Sequence, residues 1–153
     1  MTGATAVRSI LTLLALAALL AGAAGCQGNP APKDFRTTTI STSVEPFQDV
    51  RSQLVKLARA REAKDAATAR ALWGETFASS RRALVMGPPN DLSRENVARF
   101  LEGRARFSDA LNAYGRAQAA TGDAALWAST KELEDAFWAW YDAYRGKPSE
   151  GAV

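Results

Sequence analysis

The chain has 153 residues with a formal charge of +3, 47% of them apolar, which gives room for one domain of ordinary size plus a leader. The charges are mixed along the chain, and neither a basic stripe nor stacked aromatics accompany them, so a nucleic-acid partner is not expected. There is no histidine, and Cys26 is the only cysteine, which removes the usual zinc ligand sets, the Ser-His-Asp and Cys-His catalytic arrangements and any internal disulfide.

Residues 1–9 carry one positive charge, Arg8, and the run from Ile10 to Ala24 is apolar or small. Fifteen residues make about 22 Å of helix, short of the ~30 Å hydrocarbon core of a bilayer. The segment therefore has the form of a cleavable signal peptide, expected over residues 1–25. Its end, Ala23-Ala24-Gly25-Cys26, resembles the lipobox of bacterial lipoproteins, with alanine where that family most often has leucine. The resemblance implies that Cys26 is diacylated and becomes the first residue of the mature chain, fixed to the extracytoplasmic face of a bacterial membrane. Gln27 follows the cysteine where aspartate commonly retains lipoproteins at an inner membrane, which favours the outer one. Cleavage after Ala23 and release of a soluble protein with a free thiol is the competing reading.

From residue 26 to 43 a polar tether is expected. Gln27 to Lys33 is broken by prolines, and Arg36 to Ser43 is rich in β-branched hydroxyl residues. Phe35 and Ile40 offer a second possibility, that this stretch is pinned onto the domain.

Four helical segments are expected over residues 44–146. In the first, Pro46 suits an opening turn, and Phe47, Val50, Leu54 and Leu57 fall on one face. Lys64-Asp65 breaks it, and Asp65 is placed to cap the second, whose apolar face runs Ala69, Leu72, Trp73, Thr76, Phe77, Ser80 and Leu84 up to Gly87-Pro88-Pro89. Asn90, Asp91 or Ser93 caps the third, with a stripe of Val97, Phe100, Arg104, Phe107, Leu111, Tyr114 and Gln118. Asp123 opens the fourth, whose stripe of Leu126, Thr130, Leu133, Phe137, Trp140 and Tyr144 is the most regular. Residues 147–153 are expected to fray. Short turns between long amphipathic helices predict an all-α fold, an antiparallel up-down four-helix bundle. The architecture is similar to that of periplasmic four-helix cytochromes of the c-prime kind, although their haem-attachment motif has no counterpart here.

No constellation nominates catalytic residues, a metal or a cofactor. The acidic pairs Glu62/Asp65 and Glu132/Asp135 fall at a helix end and on an outer face, without the histidines of di-metal bundles. Two binding surfaces can be drawn. On the fourth helix Trp138 is expected to point outward between Lys131 and Arg145, a tryptophan framed by cations that suits a headgroup layer or a partner protein; residues 34–44 folding over it is the alternative. In the core, Trp73, Arg104 and Trp140 could hold an apolar or anionic ligand, with Glu75 and Glu134 as competing partners for the arginine. Gly74, Gly103 and Gly115 inside helices either permit close approach or are tolerated. The expectation is a non-enzymatic, lipid-anchored protein whose helices bind another envelope component; a small-ligand binder is the alternative.

Overall fold

The computed structural model describes residues 31–40 and 44–147. The expected signal peptide, Cys26 and the last residues lie outside the described residues. The chain divides into two units, 1–30 and 31–153, and every described helix belongs to the second.

The described part is all-helical: α1 (Glu45–Glu62), α2 (Ala66–Ala71), α3 (Trp73–Leu84), α4 (Arg94–Ala119) and α5 (Ala124–Tyr144). The start of α1 uses Pro46 in its first turn, where its missing N–H costs nothing. Asp65 caps α2 by accepting from the Thr68 amide at 3.0 Å, a bond that, with the Thr68 hydroxyl, holds the Asp65 carboxyl below its ordinary value. Ser93 caps α4 through the Asn96 amide at 3.2 Å. Asp123 does not cap α5; its carboxylate instead holds Arg70 at 2.9 Å, tying the turn before α5 to α2.

The second expected helix is two helices. A break at Leu72 separates α2 from α3, and Tyr114 explains what the break leaves exposed: its hydroxyl donates to the Ala69 carbonyl. Beside that contact, the Trp73 indole packs edge-on to the Tyr114 ring at 5.3 Å. A Cβ on Gly115 would lie 2.7 Å from the Trp73 ring, so this position of α4 has to be glycine for the tryptophan to sit there.

α1 packs on α3, α3 on α4, α4 on α5 and α5 back on α1, so the four longer helices form a closed ring of neighbours. The α4–α5 pair is the most extensive of these. Its close approach rests on Gly103, where a Cβ would come 2.9 Å from the Trp140 backbone. The expected stripes of α1 and α5 are buried: Phe47, Val50, Leu54 and Leu57 from α1, and Leu126, Leu133, Phe137 and Trp140 from α5. Phe100, Phe107, Leu111 and Tyr114 of α4 meet them. Trp140 is fully buried, stacked on Phe107 at 5.3 Å and edge-on to Phe47 at 4.8 Å.

The expected face of α2 and α3 is largely the one that packs, with Ala69, Thr76 and Ser80 buried and Leu72, Trp73 and Leu84 against the core, and the correction falls on Phe77. α3 buries Thr76, Ser79, Ser80 and Ala83, while Phe77 is 39% exposed. The buried side is the one whose small side chains allow α1 and α4 to close on it, and Lys56–Glu75 and Arg82–Asp49 ion pairs fix that rotation against α1.

Candidate functional site

Residues 31–40, expected within a flexible tether, lie as a strap in the groove between α1 and α5. The strap opens with a turn, closed by the Phe35 amide on the Pro32 carbonyl at 3.0 Å, and then runs without helix or strand to Ile40. Phe35 is the wedge: it is 3% exposed, meets Trp138 edge-on at 6.0 Å and sits under the Arg51 guanidinium at 5.9 Å. Arg36 grips α5 through both oxygens of Asp142, at 2.7 and 3.1 Å, and lies 4.9 Å over the Trp138 ring. Further along, the Gln48 amide donates to the Ile40 carbonyl at 3.0 Å, and Ile40 itself is buried. Irregular chain has no ladder of hydrogen bonds to hold it in place, so side-chain anchors of this kind take that role.

This overturns the outward-pointing Trp138. Its exposure is 6%, and the cation over its ring is Arg36, not Lys131 or Arg145. Lys131 is exposed and pairs with Asp135, while Arg145 lies 5.7 Å from the Tyr141 ring. The physical reason is plain: a large apolar ring on an outer stripe is covered by whatever apolar side chain the connected chain can bring, and Phe35 reaches it. The Trp138 indole N–H is buried and finds no acceptor.

What the strap leaves open is a charged groove of about 400 Å³ beside it, lined by Asp34, Arg36, Arg106, Lys131, Glu134 and Trp138. Arg61 spans its inner edge, 2.7 Å from Glu134 and 3.4 Å from Asp34. Burial pushes the Glu134 carboxyl above its ordinary value, against the pull of Arg61. Arg106 meets no carboxylate among the described residues. The groove therefore presents a fixed pattern of both signs around a covered tryptophan, suited to holding a charged surface or segment by several contacts at once.

The three core candidates do not converge. Trp73 packs at Gly115 and Trp140 at Gly103, twelve residues and roughly 18 Å apart along α4. Arg104 turns instead toward α3, reaching the Met86 carbonyl at 3.4 Å and lying 5.9 Å from the Phe100 ring. Its expected carboxylates are engaged elsewhere, Glu75 by Lys56 and Glu134 by Arg61.

The contacts that build the strap site carry no local signal. Arg36 and Asp142 are 106 residues apart in the chain, and Arg61 and Glu134 are 73 apart. Phe35, an aromatic in an otherwise polar stretch, is the residue that marks the site in the sequence. Among the described residues, no three His, Cys, Asp or Glu side chains cluster as metal ligands, and no helix is long and apolar enough to cross a membrane. Comparison with protein-family models, with curated proteins and with solved structures finds no match to this chain.

Proposed function

We propose that this chain is a bacterial lipoprotein: a lipid on Cys26 anchors it to the extracytoplasmic face of a membrane, and its helices form an antiparallel up-down four-helix bundle, with α2 and α3 sharing one position. In this reading the domain is not an enzyme; it binds another envelope component. The observation that carries the proposal is the strap. Because Ala31 to Ile40 belong to the domain, only Gln27 to Pro30 separate the lipidated cysteine from it, a reach of at most about 17 Å. The charged groove is built partly from that same strap, so a bundle tethered this short presents it to partners that lie close to the membrane. The two deeply buried carboxylates, Glu134 and Asp142, are each held by an arginine, which suits fixed structural roles better than proton transfer.

The test is extraction from native membranes in mild detergent followed by native mass spectrometry. The proposal expects a mature mass beginning at Cys26 plus acyl chains, with a co-extracted component that is lost from an Arg106→Glu/Lys131→Glu variant. A mass beginning at Ala24 with a bare thiol overturns the anchor, and an unchanged co-extracted component overturns the groove as its binding surface.

A further inference from the structure

The strap fits its groove imperfectly. Three side-chain N–H donors lie buried along it with nothing to bond: Arg51 Nε, Arg61 Nη1 and Trp138 Nε1. Each belongs to a residue that touches the strap. The Arg51 guanidinium lies 5.9 Å from the Phe35 ring, Arg61 reaches Asp34 through its other terminal nitrogen at 3.4 Å, and Trp138 meets both Phe35 and Arg36. A buried donor left unbonded keeps the desolvation cost of burial and gains no bond. Since all three are donors, the groove lacks acceptors, and carbonyl oxygens are what an extended peptide carries at every residue. Arg51 and Arg61 stand ten residues apart on α1, roughly 15 Å, so the donors are strung along the groove and not gathered at a point. That spacing suits a length of chain better than a small molecule.

The strap is also separable from what lies beneath it. The core under it is closed by helices: Phe47 of α1 packs on Phe137 and Trp140 of α5 at 6.1 and 4.8 Å. To this the strap adds the buried Phe35 and Ile40, the Arg36–Asp142 pair and the bond from the Gln48 amide to the Ile40 carbonyl. Ten residues are ordered by these anchors, and segments held so sparsely open well before the domain that carries them unfolds. A competitor can reach the latch, because Arg36, Trp138 and Asp142 all line the charged groove beside the strap.

We infer that the strap is a built-in stand-in for a partner's peptide, and that an extended segment carrying an aromatic residue followed at once by arginine takes its place between α1 and α5. The inference rests on the reading that the domain binds another envelope component, and it makes that component a protein. The strap supplies the pattern. An aromatic ring enters between Trp138 and Arg51, as Phe35 does. The next side chain meets both oxygens of Asp142 while lying over the Trp138 ring, which a planar guanidinium does and an ammonium does not. A segment that repeats these two contacts and aligns its carbonyls on the three unbonded donors satisfies more of the groove than the strap does. The other charges beside the strap are mixed, Arg106 and Lys131 with Glu134 and Asp135, so the groove selects this pattern and not a net charge.

Fluorescence anisotropy with a labelled peptide of residues 32–40, PKDFRTTTI, tests this on the full-length chain in mild detergent. Phe35→Ala/Arg36→Ala keeps every bundle residue and removes the two side chains that fill the groove. This variant is expected to bind the peptide at least about tenfold more tightly than the wild type, whose own strap competes at high effective concentration. Adding Asp142→Asn to it, or replacing the peptide's phenylalanine by alanine, is expected to weaken that binding at least about tenfold. In extraction from native membranes, the same variant should bring out several-fold more of the co-extracted component, and an equal or smaller yield overturns the inference. So does a cooperatively unfolding variant that binds no peptide, binds it equally without its phenylalanine, or binds it no tighter than the wild type. Loss of cooperative unfolding in the variant overturns it too, because the strap would then be part of the core. A wild-type dimer that the variant cannot form would mean that copies exchange straps, and also overturns it. The peptide measurement needs no native partner, so peptide binding without any co-extracted component would fault the envelope-partner reading and not the groove.

Discussion

Two apolar surfaces of this domain meet different fates. The outer stripe of α5 carries Trp138, and the chain's own strap covers it with Phe35 and Arg36. The outer stripe of α3 carries Phe77, which is 39% exposed with its ring against Trp73, and runs on to Val85, which is 80% exposed. Both stripes surround their apolar side chains with arginine. On α5 the strap arginine is held by a buried carboxylate, Asp142, whereas on α3 Arg81 is left without one. The difference separates a surface that the connected chain covers from one that it leaves partly open. It also shows that an apolar residue on an outer stripe does not declare which kind it is.

Perturbing the covered surface has the larger expected effects. Arg61→Met leaves the Glu134 carboxylate buried with no cation in contact, which costs about 4 kcal/mol in denaturant unfolding at neutral pH. That loss shrinks as the pH falls. Burial raises the Glu134 carboxyl in the folded state, so the folded chain takes up the proton more readily than the unfolded chain, and the penalty fades once the pH drops through the raised value. A loss that is unchanged in acid would mean that Glu134 is not the group responsible. Phe35→Ala unfastens the strap and costs about 3 kcal/mol, accompanied by a red shift in fluorescence as Trp138 meets water. If the spectrum and the unfolding midpoint both stay put, the strap does not cover Trp138 in solution.

On the α3 side the expected effects are smaller, and one changes sign. Thr76→Val replaces a buried hydroxyl that has no partner by a methyl group of the same shape, and is expected to stabilise the domain by about 1 kcal/mol. A loss of that size would reveal a hydrogen bond made to a bound water. Val85→Ser is expected to change the stability of the isolated copy by less than about 0.5 kcal/mol, because the side chain is already 80% exposed. A larger loss would place Val85 in the core of a single molecule and remove the contrast.

The periodicity of α1 and α5 was legible because large apolar residues recur at steps of three and four, and those faces are the ones buried. On α3 the same rule placed Thr76 and Ser80 inward, as they are, and missed at Phe77. The helix also turns Ser79 and Ala83 inward, whose small side chains allow closer helix approach than Phe77 would. The break at Leu72 was hidden because no proline or glycine precedes Trp73; it follows from seating Trp73 over Gly115 and bonding Tyr114 to the Ala69 carbonyl. Phe35 and Ile40 hinted at a pinned segment, but Arg36, Arg61, Glu134 and Asp142 gave no sign of their partners. Long-range ion pairs are set by the finished packing, and no local spacing encodes them.

Hydroxyl-radical footprinting across a dilution series compares the two surfaces within one sample. Labelling of Phe35 and Trp138 should stay low at every concentration, since one molecule protects them by itself. Labelling of Phe77, Val85 and Leu101 should be higher than that of Trp138 in dilute protein, since no part of the same molecule closes over them. If those three label as little as Trp138 in dilute protein, the α3 face is not open in solution. If Trp138 labels as strongly as they do, the division between a covered surface and an open one fails.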